Sequence, residues 1–430
     1  MVVARLDLRA QTARLDRLRA GLAFLIGLTL PISVSASETL CLLAFLLLLV
    51  EWRPAETARL WAANPVAWAG GGLFLLLGVG VLWSTAPWGE AFREWSRYRE
   101  LLYLPLLLLV CRDEAARRAG LYGFFAAVAL ILAVGSTTLY PPLARVVGAV
   151  IGRVPYDSAF GSYITEGMQV ALATYFFSVE AIRHPKHRPL AVALVAWALL
   201  YAMFLNTGRT GYVVLIVVAV ALLLQLAPRR FWIPGGAAIL LAAAVLLFLS
   251  PRLHERMLGV GAAIQVQMKG DKVDPSKVPQ LPGGIRPTLA ETSANARIEF
   301  MRIGWQAFQA HPILGTGTGS FARTYAELAE KEHAWPTRNP HSQYVLMAVQ
   351  LGAVGLLALL AFFATLWLAA GRLPLWESRQ ARALTAAFAL ACLFNSMLMD
   401  HKDGHTFVFL LALFFGGLGA REDQRRRHDL

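Results

Sequence analysis

Twelve apolar runs constrain this chain more than any other feature. A helix needs about 20 residues to cross roughly 30 Å of hydrocarbon. Inside lipid the backbone must satisfy its own hydrogen bonds, so a spanning run is a helix or part of a closed barrel. The runs fall at about 20–36, 38–52, 66–84, 99–111, 119–140, 164–182, 188–206, 210–227, 231–250, 343–370, 380–399 and 405–420. Three of them, 38–52, 99–111 and 405–420, are short for a full crossing. Hydrophobic residues make up 57% of the 430 positions, and the mean hydropathy is +0.53. A soluble core of this size has no room for that much apolar surface. The expected fold is therefore an all-α polytopic membrane protein with about twelve transmembrane helices.

The net charge of +13 raises the question of nucleic acid, but the distribution of the charge answers it. Of the 40 Lys and Arg residues, 22 lie in the N-terminal stretch, the C-terminal stretch and alternating short loops, as membrane topology requires. This places both termini in the cytoplasm and residues 251–341 on the opposite side of the membrane, which in a bacterium is the periplasm. The first run is followed at once by a second, so it reads as a span and not as a cleaved signal. Three regions follow: 1–250 with spans one to nine, a periplasmic loop at 251–341, and 342–430 with spans ten to twelve and a cytoplasmic tail. Cys41, Cys111 and Cys392 sit inside apolar runs and read as small buried hydrophobes.

The first half of the 251–341 loop is rich in turn formers, including Gly270-Asp271 and Pro282-Gly283-Gly284. From Ala294 the pattern becomes helical: Ile298, Met301, Trp305 and Phe308 predict an amphipathic helix over about 294–310. It should stop at His311-Pro312 and the glycine cluster of 315–319, and a second helix is predicted from about Ser320 to His333.

Polar residues concentrate at the periplasmic ends of the runs. Asn339-Pro340-His341-Ser342-Gln343-Tyr344 joins the loop to the tenth run. A histidine at the lip of a span is costly to keep there, and its pKa near neutrality suits proton transfer. His341 is the acid/base candidate, with Asn339, Gln343 and Tyr344 as supporting groups. Arg209, in the tight connection Asn206-Thr207-Gly208-Arg209-Thr210-Gly211, is a candidate anion clamp, because a guanidinium offers a fixed fork of donors. Arg297 and Arg302 lie on the predicted amphipathic helix. Arg93, Arg97 and Arg99 precede the fourth run and call for a ligand or for pairing with Glu90, Glu94 or Glu100. The His401-Lys402-Asp403-Gly404-His405 stretch reads as a solvated turn. No histidine shows metal-ligand spacing with carboxylates, and no phosphate-binding glycine loop points to ATP.

His341-Ser342, then nine residues, then Gly352-Ala353-Val354-Gly355 resembles the signature of bacterial O-antigen ligases. The order Arg209, Arg297, His341 resembles that family's two periplasmic arginines and its histidine. Arg297 with Pro312, Leu314-Gly315, Gly317 and Phe321 resembles a segment of the wider ligase/polymerase superfamily. The resemblance implies a GT-C-like membrane fold. It also implies a metal-independent, inverting glycosyltransferase that needs no cofactor and no ATP. Such an enzyme moves an O-antigen glycan from undecaprenyl diphosphate to lipid A–core oligosaccharide, with His341 as base and Arg209 and Arg297 on the diphosphate. The rival readings are an O-antigen polymerase, a protein O-oligosaccharyltransferase and a polytopic transporter or flippase. The span interiors carry almost no charge, which favours surface chemistry over passage through the bilayer.

Overall fold

The computed structural model describes residues 2–51, 53–152, 155, 158–206, 208–249, 289–332, 334 and 337–419. The turn-rich part of the long loop, His254, His333 and the basic tail lie outside the described residues. Among those described there are α-helices, short 3-10 turns and no strands. In chain order the helices are α1 (Val2–Thr29), α2 (Val34–Val50), α3 (Pro54–Ala62), α4 (Pro65–Val79), α5 (Trp88–Ser96), α6 (Glu100–Val110), α7 (Glu114–Ser136), α8 (Pro141–Ile151), α9 (Tyr163–Arg183), α10 (Arg188–Phe204), α11 (Arg209–Leu226) and α12 (Trp232–Leu249). They continue with α13 (Leu289–Ala310), α14 (Phe321–Glu332), α15 (Gln343–Ala370), α16 (Leu375–Phe394) and α17 (His401–Phe415).

Each apolar run is occupied by a helix, but far fewer than twelve are long and apolar enough to cross a membrane alone. Among the described residues four qualify: Pro65–Trp83, Glu114–Leu139, Arg209–Leu226 and Gln343–Ala370. A fifth is added if α2 and α3, bent by 120°, count as one broken span. Large apolar side chains stand exposed along the helices, among them Leu43, Leu46 and Leu49 on α2, Leu190 on α10, and Leu357, Leu360 and Leu368 on α15. Such a surface suits lipid contact, since apolar patches of this extent are rare on water-facing proteins.

Local chemistry starts the helices. Ser33, Asn64, Ser162, Ser342 and Asp400 each accept a hydrogen bond from a backbone N–H of the first turn. α9 and α11 approach closely because Gly167 and Gly211 face each other; a Cβ on Gly211 would lie 2.8 Å from Gly167. Small residues allow this kind of contact between membrane helices.

The glycine cluster does more than end α13. α15 is broken at Gly352 (φ 61, ψ −151), a conformation open only to glycine. The break frees carbonyls that the cluster then takes up. Thr316 N–H donates to Val349 O (3.0 Å) and Gly317 N–H to Gln350 O (2.8 Å). In return Ala353 N–H donates to Pro312 O (2.8 Å) and Val354 N–H to Ile313 O (3.2 Å). Residues 312–318 are thus spliced into the broken helix. The splice is tied on its other side to the end of α4 through Thr318 N–H to Gly80 O (2.9 Å) and Thr85 N–H to Thr316 O (2.9 Å).

Two expectations are corrected. The buried face of α13 is Phe300, Ile303 and Ala307, whereas Trp305 is 53% exposed. Both faces of this helix carry apolar residues, and the flush contact of Gly304 on Val345 of α15 selects the Phe300 face. The 401–405 stretch is not a solvated turn. Asp400 caps it into the start of α17, with Asp403 and His405 fully enclosed. Partners distant in sequence make this burial tolerable. Glu100 Oε1 meets His401 Nδ1 (2.5 Å), and Thr165 donates to Asp403 Oδ2 (3.2 Å). Lys402 Nζ donates to the carbonyls of Pro31 (3.1 Å), Ile32 (3.2 Å) and Phe160.

Candidate active site

The junction between the loop and α15 is held by its own polar side chains. Thr337 and Asn339 bond each other through Thr337 Oγ1 to Asn339 O (2.8 Å) and Asn339 N–H to Thr337 Oγ1 (3.1 Å). Pro340 keeps Asn339 out of helical conformation. Asn339 Oδ1 then accepts the His341 N–H (2.9 Å) and the Ser396 hydroxyl (2.7 Å). His341 takes φ 52, the one non-glycine among the described residues with positive φ. A left-handed conformation costs a non-glycine residue on the order of 1 kcal/mol and persists only where neighbours dictate it. Ser342 caps α15 immediately after, so the histidine is pinned between two fixed points.

The imidazole packs nearly parallel to Phe300 of α13, with centroids 6.2 Å apart at 24°, and its Nδ1 lies 3.2 Å from Asn395 Oδ1. Burial pushes its pKa below the ordinary value, and the positive charge of Arg297 adds to that push. The ring is therefore neutral at neutral pH and able to accept a proton. Arg297 lies one turn before Phe300 on α13. Burial lowers its pKa too, and no carboxylate pairs with it among the described residues. The Tyr163 phenol at the start of α9 acts electrostatically in the opposite direction.

Tyr163 also links the third candidate. Asn206 donates from Nδ2 to Tyr163 O (3.1 Å) and accepts the Gly208 N–H (2.8 Å), which shapes the connection before Arg209. Tyr212 OH donates back to Asn206 O (2.8 Å). Arg209 opens α11, half-buried, beside the first turn of α9. The structure thus puts Arg297 against His341, and it puts the Arg209 turn on the residue that faces Arg297.

The other named residues have different places. Gln343 is fully buried, donates to Tyr98 OH (3.2 Å) and accepts the Leu398 N–H (3.1 Å). Tyr344 OH donates to Ala389 O (3.0 Å). Both brace the start of α15. Arg302 pairs with Glu332 (2.5 Å) and Arg97 with Glu94 (3.3 Å), while Arg93 is exposed. Arg99 pairs with Glu38, a partner not expected from sequence. Sequence reasoning missed Asn395, Phe300 and Tyr163. The polar pair Asn395-Ser396 at the end of an apolar run was the one available signal. Among the described residues, no group of three or more His, Cys, Asp or Glu is arranged to hold a metal ion. The three cysteines are free and buried.

These elements coincide with a known family. Residues 194–360 match the O-antigen ligase family model. The ligase-family match runs from α10 into α15 and contains Arg209, Arg297, His341, Gly352 and Gly355. No curated protein matches the chain. The break at Gly352 and the 312–318 loop spliced into it both lie within the matched residues.

Proposed function

We propose that this protein is an O-antigen ligase of the bacterial inner membrane. It transfers a glycan from undecaprenyl diphosphate to lipid A–core oligosaccharide at the periplasmic face. The observation that carries this reading is a half-buried arginine with no carboxylate partner among the described residues, set against a histidine whose pKa is lowered by burial and by that arginine. That pair offers an anion site and a base at one place, which an inverting transfer from a diphosphate carrier requires.

His341 takes the proton from the acceptor sugar hydroxyl as that oxygen attacks the anomeric carbon. The bond to the diphosphate breaks on the opposite face, and the diphosphate leaves with the bonding electrons. Arg297 and Arg209 offset the charge that grows on it. Lysine at either position would keep the charge but lose the two-pronged contact. The ligase-family match supports transfer of a lipid-linked glycan.

Reconstitution tests the reading. The purified chain is mixed with undecaprenyl-diphosphate glycan and lipid A–core, without nucleotide and with EDTA. A ladder on lipid A–core, absent with His341→Ala, is the expected result. Glycan lengthening on the undecaprenyl carrier would instead make the protein a polymerase, and no product with either acceptor would refute both.

A further inference from the structure

The segment following α16 places a side chain against the His341 ring that the transfer scheme does not yet use. Asn395 caps the C-terminus of α16 in extended backbone and is 8% exposed. Its Oδ1 lies 3.2 Å from His341 Nδ1, across 54 residues of sequence. Ser396, next in the chain, donates to Asn339 Oδ1, the same atom that accepts the His341 N–H. Two side-chain bonds of opposite direction therefore clasp 395–396 to 339–341. One of them ends on the ring itself.

An amide oxygen can only accept, so its partner Nδ1 carries the hydrogen. A neutral imidazole has one N–H, which leaves the Nε2 lone pair open. Nε2 has no hydrogen-bond partner among the described residues. The reverse amide orientation would donate to Nδ1, place the hydrogen on Nε2 and leave no base there. The groups facing the ring are Arg297 and Phe300 from α13 and Asn395 after α16, while Asn339 holds the backbone N–H; Arg297 is the charged one.

We propose that Asn395 is a positioning residue: it holds His341 in the Nδ1–H tautomer and fixes the ring against Phe300, so that Nε2 receives the acceptor's proton. The proposal rests on His341 being the base of the transfer. The hydroxyl proton moves to Nε2 as the new glycosidic bond forms. The resulting imidazolium keeps its Nδ1–H on Asn395 until Nε2 returns the proton to solvent. A neutral amide suits this place, because a carboxylate there would keep the ring protonated to higher pH.

The test uses the full chain in lipid nanodiscs with 15N-labelled histidine, the His341 signal being identified by its loss in His341→Gln. Nitrogen shifts above the titration should show hydrogen on Nδ1 in the wild type. They should show it redistributed toward Nε2 in Asn395→Leu. In the reconstituted transfer assay Asn395→Leu should lower kcat about tenfold or more, with KM for the lipid-linked donor little changed. Asn395→Asp should restore rate while moving the acid limb of the pH profile upward. Hydrogen on Nε2 in the wild type overturns the proposal, as does an Asn395→Leu protein with wild-type shifts and rate. If the wild type transfers to neither acceptor, the functional reading falls, and the nitrogen shifts still decide what Asn395 does. If Asn395→Leu does not fold, the wild-type shifts and the Asn395→Asp profile decide it.

Discussion

Arg297 is a half-buried cation without a carboxylate beside it among the described residues, an arrangement that costs stability unless a ligand supplies the charge. Arg297→Gln should therefore reduce transfer by about a hundredfold or more, the scale of losing one preorganised charge-stabilising group. Its melting temperature should be equal to or above that of the wild type, since the loss is functional and not structural. The same substitution should show in the pH profile. In the proposed transfer the base is the neutral His341 ring, so the rate should fall as pH drops through its pKa. Burial and Arg297 both hold that pKa below 6.5, which puts the acid limb below 6.5 in the wild type. Removing the positive charge of Arg297 raises the pKa and should move the limb to higher pH. A limb that moves down, or stays, would contradict the electrostatic contact. At this scale the sequence offered His341 and Arg209 at the ends of spans and Arg297 on the amphipathic helix, and the structure brings Arg297 near the His341 ring. Asn395, Phe300 and Tyr163 were hidden because amides and rings are common, and their meaning comes from what they touch.

At the scale of single elements, the break in α15 carries the argument. Gly352 holds φ 61 and ψ −151, and a Cβ there would meet Ile313 O at 2.3 Å. Gly352→Ala should cost about 1–3 kcal/mol from backbone strain alone, with the clash in addition. A lowered melting temperature in detergent, accompanied by loss of transfer, is the expected reading. α13 offers a contrasting pair. Ile303 is fully buried against α15 and Ile303→Ala should cost about 2–5 kcal/mol. Trp305 is half-exposed, and Trp305→Ala should cost well under that despite removing a larger ring. Periodicity located this helix to within a few residues of its start. It chose the wrong face because apolar residues occupy both faces, and only the close seat of Gly304 on Val345 separates them. The cluster of glycines was legible as a stop; that it completes another helix was not, since the carbonyls it bonds lie 33 residues on.

For the whole molecule, the order of apolar runs was readable because lipid imposes one simple rule on every span. Depth was not readable. The start of α17 looks like a polar turn, and only Glu100, Thr165 and the carbonyls of the α1–α2 turn make its burial tolerable. Lys402 joins three pieces there, bonding Pro31, Ile32 and Phe160. Lys402→Met should leave these acceptors short of a donor and destabilise the bundle by about 1–3 kcal/mol, seen as a lower melting temperature in detergent. The splice of 312–318 into α15 has a further bearing on how such proteins can recombine. Its donors and acceptors lie on both sides of residue 320, and the end of α4 holds the same loop. A chimera of two relatives joined between 320 and 343 would separate a loop from the helix shaped to receive it. Crossovers should succeed only where 80–85, 312–320 and 346–355 come from one parent.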